Sequence, residues 1–470
     1  MKANLLLIIL LILTSCYFEP NFNRAEIKNP IPEKWLNIYN EMPSHKNHVT
    51  SLWWRNFGDE NLDSLILEAI ENNDDVKISF EKINQNEAIK DASQLALLPK
   101  IDGSFNSKKE KLSKNTNNSN KTIDTKSLNV KLNYELDVWG RISSLRWKAK
   151  NDLLASKYAK DVVLLNLTSQ VAKSYFDLVL LDEELKIAKN NHKALEEIYS
   201  IWSERNKVGS TSLLDLRQIE AEKEVEKTRV YELEQKIALL QNEVSLLIGS
   251  NPKKIVRSKF ENLKFIADKS FIIPALKQPV EIIKHRPDLK MAEAGVIASK
   301  ADLNASRASF FPSITLDALF GFQAGSLEKL VKSGSYINSF GGGILQPIFN
   351  RGELLAQNNI AFSKKDEALY NYAKTLKTAL KEVEDSLIYL NKAEKISGSI
   401  KAQVDALKEA EKLVEAKYDN GLVGYLEFLT TKRNLFDARI NSLEAQRAEI
   451  YSYVNFIKAL GGGWEDEYHQ

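Results

Sequence analysis

Residues 128–138 read LNVKLNYELDV, and this stretch decides the fold class of the 470-residue chain. Apolar side chains occupy every second position from Leu128 to Val138, and Asn, Lys, Glu and Asp fill the positions between them. This alternation predicts a β-strand with one apolar and one water-facing side, as in strands that cross a membrane. A half-buried strand of a soluble β-sandwich alternates in the same way, so the rest of the chain must decide between them.

Three further segments are predicted to be strands. Residues 314–322 alternate less cleanly, because Leu319 lies on the side opposite to the other apolar residues. Weaker signals begin at Ile101 and in the glycine-rich stretch from Tyr336 to Ile348. The tract from Lys108 to Lys126 is rich in Lys, Asn, Ser and Thr, which predicts a solvated loop between the first two strands.

The chain carries one structural plan twice. Residues 208–249 align without a gap with residues 420–461, so that Gly209 pairs with Gly421 and Gly249 pairs with Gly461. The entries to the two strand pairs correspond as well, and so do their exits. Each half is therefore predicted to run in the order helix, strand pair, long helix, turn, helix.

Long helices are the second feature that the sequence predicts. Between Gly140 and Gly209 there is no Gly or Pro, and a single helix over these residues would be roughly 100 Å long. The matching stretch from Gly352 to Gly421 contains only Gly398 as an internal glycine. Such helices are stable only when their apolar faces pack on neighbours. The turns at Gly209 and Gly421 therefore predict two antiparallel coiled-coil hairpins.

Four strands are too few to cross a membrane on their own. Every backbone N–H and C=O inside a bilayer needs a partner, so spanning sheets close into barrels. Barrels wide enough to hold water need more than about eight strands, so several chains must share one barrel. Three copies would supply about twelve strands and twelve long helices. The expected fold class is mainly α with membrane β, with a shared 12-stranded β-barrel and an α-helical barrel built by a trimer.

The N-terminus predicts export and a lipid anchor. Lys2 precedes an apolar run over residues 5–13, which is too short to span a hydrocarbon core of about 20 helical residues. Cys16, the one cysteine of the chain, follows Leu13-Thr14-Ser15, which resembles a bacterial lipobox. Cys16 is thus the predicted site of lipid attachment, although a plain secretory signal with a chance cysteine has the same appearance. In the lipoproteins that this motif resembles, a residue other than Asp after the cysteine, here Tyr17, favours delivery to the outer membrane.

Composition and motifs exclude several classes of function. Lys and Arg number 65 against 63 Asp and Glu, so no net basic charge points to nucleic acid. The five histidines show no metal-ligand spacing, and no glycine loop follows a buried strand to cradle phosphate. His285-Arg286-Pro287-Asp288 most simply starts a helix, with Pro in the first turn. We predict no enzyme, no catalytic residue, no metal site and no cofactor besides the covalent lipid.

The expected organisation has five parts. They are a signal peptide at 1–15, a lipidated extended segment at 16–58, a first repeat at 59–275, a second repeat at 276–464 and a tail at 465–470. In the first repeat a helix precedes a strand pair at about 99–139, a long helix at about 141–208 and a helix at about 210–249. In the second repeat the matching elements are a helix at about 281–310, a strand pair at about 312–349, a long helix at about 351–420 and a helix at about 424–460.

Four motifs, in this order, resemble those of the outer-membrane efflux proteins of TolC type, and more closely their lipoprotein branch of OprM type. They are Leu52-Trp53-Trp54 with Phe57-Gly58-Asp59 and Leu62, His285-Arg286-Pro287-Asp288-Leu289 with Ala292-Glu293, Ala308-Ser309-Phe310-Phe311-Pro312, and Lys458-Ala459-Leu460-Gly461-Gly462-Gly463-Trp464. The resemblance covers nearly the whole mature chain.

The resemblance implies a passive homotrimeric duct in the outer membrane that reaches into the periplasm. It also implies a periplasmic membrane-fusion adaptor protein, an inner-membrane pump of RND type that supplies the energy, and contact with outer-membrane lipid. The expected cargo is small molecules such as drugs, toxic compounds or metal ions.

Site residues follow from the same resemblance. The adaptor-contact tips would be Val208-Gly209-Ser210 and Asn420-Gly421-Leu422, although the glycines suit a purely conformational role equally well. The periplasmic aperture would be lined by Leu426, Glu427, Thr430 and Arg433. Thr430 stands where relatives commonly carry Asp, and Arg433 is expected to make bonds between helices. Leu426 and Thr430 are expected to border the narrowest point.

Two other functions remain open from the sequence. One is a type I secretion outlet that passes proteins, and the other is a structural lipoprotein whose coiled coils conduct nothing. The lipobox favours small-molecule efflux, because secretion outlets of this family often lack it.

Overall fold

The structure is a computed structural model that describes residues 20–22, 31–36, 52–113, 122–263, 279–280, 285–350 and 352–462. The predicted signal peptide, Cys16 and the predicted tail lie outside these residues. The chain forms two compact units. The strand unit contains residues 1–28, 81–157 and 291–374, and the helical unit contains 29–80, 158–290 and 375–470. Each unit draws on both repeats, so the compact units do not coincide with the two predicted halves.

The strand unit is built on one antiparallel four-stranded sheet. Its strands are β1 (Lys100–Lys111), β2 (Thr122–Leu136), β3 (Ser313–Ala324) and β4 (Tyr336–Leu345). They are hydrogen-bonded in the order β1-β2-β3-β4. Both predicted strand pairs are therefore confirmed, and β1 and β4 are the edges of the sheet within one chain.

The register of the sheet collects apolar side chains on one face. Leu128 lies opposite Phe105 on one side and Phe322 on the other, and Ala318 lies opposite Phe340. Because side chains alternate along a strand, these residues share one face. The same face carries further residues: Ile101, Val130, Leu132, Tyr134, Leu136, Ile314, Leu316, Phe320, Tyr336 and Ile344.

The predicted loop from Lys108 to Lys126 was wrong at both ends. β1 continues to Lys111 and β2 starts at Thr122, and Lys111 pairs with Thr122. Residues 114–121 lie outside the described part. Composition suggested a loop because apolar alternation stops, but backbone pairing continues wherever a neighbouring strand supplies N–H and C=O partners. The counterpart between β3 and β4 contains a short helix at Leu327–Leu330.

The helices match the predicted plan with one addition. They are α1 (Glu60–Asn72), α2 (Asp74–Leu95), α3 (Arg141–Lys207), α4 (Leu213–Leu247), α5 (Pro287–Ala308), α6 (Leu327–Leu330), α7 (Glu353–Asp419) and α8 (Tyr425–Ala459). α3 and α7 each contain 67 residues, so the two long helices are confirmed. α5 begins at Pro287, as the motif predicted, and not at about 281, where the repeat plan placed its start. The single helix expected before β1 is divided into α1 and α2 at Asn73.

The core of the helical unit lies between the hairpins. α3 contributes Val171, Tyr175 and Phe176, α4 contributes Leu233, and α8 contributes Tyr453, all of them buried. Gln170 bonds Glu243, and Lys189 pairs with Glu234, so α3 and α4 run antiparallel. Along the second hairpin, one cluster joins Val383 to Phe456 and another joins Val404 to Leu435, which is the same antiparallel order.

The segment predicted as extended at 16–58 contains a 3-10 helix at Trp53–Phe57. The Trp53, Trp54 and Phe57 side chains are buried in the core of the helical unit, and Phe57 packs on Phe176 with ring centroids 4.7 Å apart. The extended prediction was therefore wrong at 53–57. A short run of aromatic residues has no helical period, but it gains enough from burial to fold against long helices.

In both repeats a side chain donates a hydrogen bond to the carbonyl at the end of the last helix. Asn73 Nδ2 donates to the Leu247 carbonyl at the end of α4, and Arg286 Nη1 donates to the Ala459 carbonyl at the end of α8, both at 2.9 Å. Each donor precedes a helix of its own repeat and satisfies a carbonyl that the helix end leaves free. Arg286 is buried, and Asp288 and Glu382 hold its guanidinium at 2.7 and 2.6 Å.

Among the described helices, none combines the length and the apolar character needed to cross a membrane.

Candidate functional site

The apolar face of the sheet is uncovered within one chain. Leu128 is 44% exposed, Phe105 55% and Phe340 72%. Burying a large apolar side chain stabilises a protein by about 1.5–3 kcal/mol, so a row of such residues facing water would be costly. This face therefore requires an apolar environment outside the chain, such as the hydrocarbon of a bilayer.

Aromatic side chains flank the apolar rows. Where the sheet adjoins α3 and α5, the Trp139 ring stacks on Phe311 at 4.8 Å, and Trp139 Nε1 donates to the Pro312 carbonyl at 2.8 Å. Near the opposite end, Phe322 and Tyr336 meet edge to face at 6.0 Å. Aromatic girdles at both edges of an apolar band are typical of transmembrane strands, because such rings suit the membrane interface.

The opposite face of the sheet is polar. Asn133 Nδ2 donates to Asp317 Oδ1 at 2.7 Å, and the Lys100 ammonium lies 3.1 Å from Asp102. Gly321 sits on this face, where a Cβ would come within 2.4 Å of the Leu128 carbonyl oxygen. Asn129 and Lys131, predicted to line the wet side, also lie here. One face of the sheet is thus suited to contact with hydrocarbon, and the other is suited to contact with water.

Both predicted tips end their long helix with the same backbone. Gly209 N–H donates to Asn206 O and Ser210 N–H to Arg205 O, each at 2.9 Å. Gly421 N–H donates to Tyr418 O and Leu422 N–H to Lys417 O at 2.9 and 2.8 Å. These pairs form Schellman caps, in which one residue takes a positive φ. That residue is the glycine, with φ of 73° at Gly209 and 70° at Gly421. Both glycines therefore adopt the backbone conformation that a conformational role requires.

Exposed apolar side chains surround the glycines. Val208 is 77% exposed and Leu422 is 74% exposed, and Leu213 and Leu214 in the first turn of α4 are also exposed. No other described element covers these tips. A contiguous apolar surface at the end of a helical hairpin is typical of a docking site for another protein.

The four predicted aperture residues lie on one stretch of α8. Leu426 is 63% exposed, and Glu427 is in the first turn of the helix. Thr430 Oγ1 donates to the Leu426 carbonyl at 2.7 Å, so this hydroxyl is occupied by its own helix. Thr430 therefore brings no charge and only a weakly available hydroxyl to this surface.

Arg433 makes the bond between helices that the sequence analysis expected. Its Nε and Nη2 donate to Glu222 Oε1 and Oε2 at 3.1 and 2.8 Å. Glu222 belongs to α4, so the pair joins the second hairpin to the first. The bidentate geometry fixes the guanidinium plane as well as its distance.

A buried carboxyl group beside this pair was missed by the sequence analysis. Glu226 follows Glu222 by one turn of α4 and lines a cavity of about 30 Å³ together with Asn191, Phe428 and Phe436. Burial raises the pKa of Glu226, and Arg229 nearby lowers it by a smaller amount. Its Oε2 has no hydrogen-bond partner among the described residues. Nothing in the sequence marks Glu226, because Glu is common on solvated faces of long helices.

An aromatic cluster near the tips was also missed. The Trp202 and Tyr425 rings lie 4.6 Å apart, and Tyr418 stacks on Phe428 at 4.9 Å. We call these four residues the aromatic clasp. Trp202 is on α3, Tyr418 is on α7, and Tyr425 and Phe428 are on α8, so the clasp also joins the two hairpins. The signal was the apolar pair Tyr425 and Phe428 at i, i+3, which marks one helix face.

Among the described residues, no group of three His, Cys, Asp or Glu side chains is placed to hold a metal ion.

Comparisons with known proteins agree on one family. The model for outer membrane efflux proteins matches residues 65–249 and again 279–462. The cation efflux system protein CusC of Escherichia coli O157:H7 is 28% identical, with 97% of each chain covered. The probable outer membrane lipoprotein SilC of Salmonella typhimurium is also 28% identical, over 96% of this chain and 97% of SilC. The crystal structure of the Campylobacter jejuni CmeC outer membrane channel superposes with a TM-score of 0.85 at 26% identity and covers 95% of both chains.

Proposed function

Because the chain belongs to the outer membrane efflux protein family, and so is a passive outer-membrane channel component of a tripartite efflux system, we propose that three copies form one duct. The observation that carries this proposal is the open sheet. β1 and β4 leave unpaired edges, and an open edge inside hydrocarbon costs several kcal/mol for each unsatisfied group. Joining β4 of one copy to β1 of the next satisfies these groups and gives a twelve-stranded wall.

The polar face of each sheet then lines the bore. Asn133, Asp317 and Lys131 face inward, and the apolar face meets lipid. Barrels with more than about eight strands keep an aqueous interior, so solutes pass without a binding or chemical step by the duct itself.

The hairpin tips are proposed to contact a periplasmic membrane-fusion adaptor that links the duct to an RND-type pump in the inner membrane. Val208, Gly209 and Ser210 form one contact set, and Asn420, Gly421 and Leu422 form the other. The exposed Val208 and Leu422 side chains support this role, because they offer apolar surface at the two turns.

The aperture is proposed to lie at the exposed side of α8, with Leu426 and Thr430 at its narrowest point. Single-channel conductance of the wild type and of the Leu426→Ala, Thr430→Gly double variant tests this assignment. A larger conductance in the variant is expected, because both side chains shrink. Equal conductance would remove these residues from the aperture.

Lipid attachment at Cys16 is proposed to hold the N-terminus at the outer membrane. The lipobox-like Leu13-Thr14-Ser15-Cys16 supports the anchor, and the relative SilC is named as a probable outer membrane lipoprotein. Mass spectrometry of the mature N-terminus tests it. A Cys16→Ser variant serves as the control and should lack the added lipid mass.

Exported cargo is proposed to be small molecules, including toxic compounds or metal ions. The relative CusC is named for cation efflux. Deleting the gene should lower tolerance of drugs or metal ions and leave the secreted protein profile unchanged. Normal tolerance together with loss of a secreted protein would instead favour a type I secretion outlet. No change in either would favour a structural role.

A further inference from the structure

The strands continue beyond the apolar rows, and this extension carries charge on the face that meets lipid. In β1 that face is formed by Ile101, Gly103 and Phe105, and the next residues on it are Ser107, Lys109 and Lys111. In β2 the same face carries Lys126, two residues before Leu128 in the sequence. Three lysines therefore stand where the apolar rows end, on the side of the sheet that points away from the bore.

Pairing within the sheet neutralises only Lys126 among these lysines. Asp124 lies on the same face opposite Lys109, but its carboxylate is 2.8 Å from the Lys126 ammonium. Within the described part of the chain, Lys109 and Lys111 make no ion pair. Three positive charges and one negative charge leave this face with a net positive charge.

Lys108 and Glu110 show how the opposite face differs. They alternate with Lys109 and Lys111, so they lie on the polar face, and their charged groups pair at 2.6 Å. At the same level of the strands, the positive and negative charges on the polar face therefore balance. The excess positive charge is confined to the lipid side.

The position of the lysines suits a lipid headgroup. Lys109 is four residues beyond Phe105, or about 13 Å along the strand. Phe322 and Tyr336 mark the interface one residue pair below Lys126, which lies opposite Ala324. Lysine side chains at such a position lay their methylene groups along apolar surface and place the ammonium among headgroups. An occupant must therefore combine acyl chains with phosphate groups.

We propose that Lys109, Lys111 and Lys126 form a cationic strip that binds the phosphate groups of a phosphorylated, acylated lipid in the outer leaflet. The proposal rests on the proposed function, which places this end of the sheet at the outer surface of the outer membrane. Acyl chains would lie on the exposed Phe105 and Leu128 side chains. Phosphate oxygens would accept hydrogen bonds from the ammonium groups above them.

The test compares two triple variants of the purified full-length protein in detergent. Lys109→Gln, Lys111→Gln, Lys126→Gln removes the strip. Lys100→Gln, Lys108→Gln, Lys131→Gln removes the same charge from the polar face of the same two strands. Binding of lipid A with two phosphates is measured by native mass spectrometry, beside its dephosphorylated form and inorganic phosphate.

The strip variant is expected to bind diphosphorylated lipid A at least about tenfold more weakly than the wild type, and the polar-face variant within about twofold of it. The wild type should prefer the diphosphorylated form, and binding should weaken from about 50 to about 500 mM salt. Inorganic phosphate at the same concentration should not compete, because it lacks acyl chains.

Equal lipid A binding by the two variants would overturn the proposal, as would full competition by inorganic phosphate. Conductance and oligomer mass of each sample are recorded in parallel. A wild type that neither assembles nor conducts would contradict the proposed function itself. If the strip variant fails to assemble, the salt dependence and phosphate preference of the wild type decide the proposal, and their absence overturns it.

Discussion

The two hairpin tips share one backbone but are held in different ways. Gly209 and Gly421 have φ angles within 3° of each other and make the same cap bonds. After the first tip, Ser212 caps α4 by accepting a hydrogen bond from the Leu214 N–H at 3.1 Å. After the second tip, Gly424 offers α8 no side-chain cap. Instead Tyr425 and Phe428 are buried in the aromatic clasp.

This difference separates a locally fixed tip from a tip that depends on its neighbour. Ser212 needs nothing outside its own turn, whereas Tyr425 is held by Trp202 of the first hairpin. Leu426 follows Tyr425 directly and is exposed. Packing between the hairpins therefore positions the stretch of α8 that carries the proposed aperture.

Breaking the aromatic clasp should have the largest effect on this comparison. Tyr425→Ala or Phe428→Ala is expected to lower the local stability of the second tip by about 3–5 kcal/mol, because a large buried ring is lost. The first tip should lose less protection, because Ser212 still caps α4. Hydrogen exchange of residues near Gly209 and Gly421 measures the two effects, and channel conductance should rise. Leu214→Ala, at an exposed site, is the control and should change neither.

Equal loss of protection at both tips would contradict the assigned dependence of the second on the first.

Substituting the tip glycines should affect both hairpins alike. Gly209→Ala and Gly421→Ala are each expected to cost about 1–2 kcal/mol, because an L side chain disfavours a positive φ. Neither Cβ would meet another atom within 4 Å, so the cost is that of the backbone alone. Gly398→Ala, inside α7, is the matched control and should not destabilise the protein, because that glycine has no positive φ and its Cβ would meet no atom within 4 Å. Hydrogen exchange gives the comparison, and a large difference between the two tips would refute the shared backbone requirement.

Removing the Arg433 to Glu222 pair should have a smaller effect, confined to the contact between hairpins. Arg433 is more than half exposed, so Arg433→Ala is expected to cost about 0.5–1 kcal/mol. Arg433→Lys should recover only part of this, since an ammonium cannot make the bidentate contact. A double-mutant cycle with Glu222→Ala measures the coupling. A coupling of zero would show that the pair does not join the hairpins in solution.

Lower pH should slightly stabilise the contact between the two hairpins through Glu226. Because burial raises its pKa above that of an ordinary Glu, the folded state binds the proton more readily than the unfolded state. The stability that Glu226 gains by binding this proton is therefore fully present below the pKa of the unfolded state, and it is lost as pH rises through the raised pKa of the folded state. Hydrogen exchange of the first hairpin near Glu226, corrected for intrinsic rates, should slow as pH falls. Glu226→Gln should abolish this dependence, and a variant that keeps it would assign the effect to another group.

Much of the fold follows from the sequence because its signals are local and periodic. The strands at Leu128 and Ile314, the two 67-residue helices and the Schellman glycines each depend on residues close together in the chain. The end of β1 at Lys111 could not be predicted, because strand pairing needs only backbone N–H and C=O groups from the facing strand and leaves no apolar pattern in the sequence.

The candidate site was predicted in part. Arg433 was expected to bond between helices, but its partner Glu222 is 211 residues away in the sequence. Trp202 and Tyr425 are separated still further, and Asn73 lies 174 residues from its acceptor at Leu247. Such contacts depend on how four helices meet, and no period within one helix specifies them.

The most direct test of the shared wall is a disulfide between the sheet edges of neighbouring copies. In a Cys16→Ser background fused to a non-lipidated signal, Ser104→Cys in β1 is combined in turn with Ile337→Cys, Ser339→Cys and Gly341→Cys in β4. All four positions lie on the polar face of the sheet. If copies close the barrel, at least one combination forms, on oxidation in outer membranes, a covalent species of three chains that reducing agent separates. Only single chains in every combination would contradict the account.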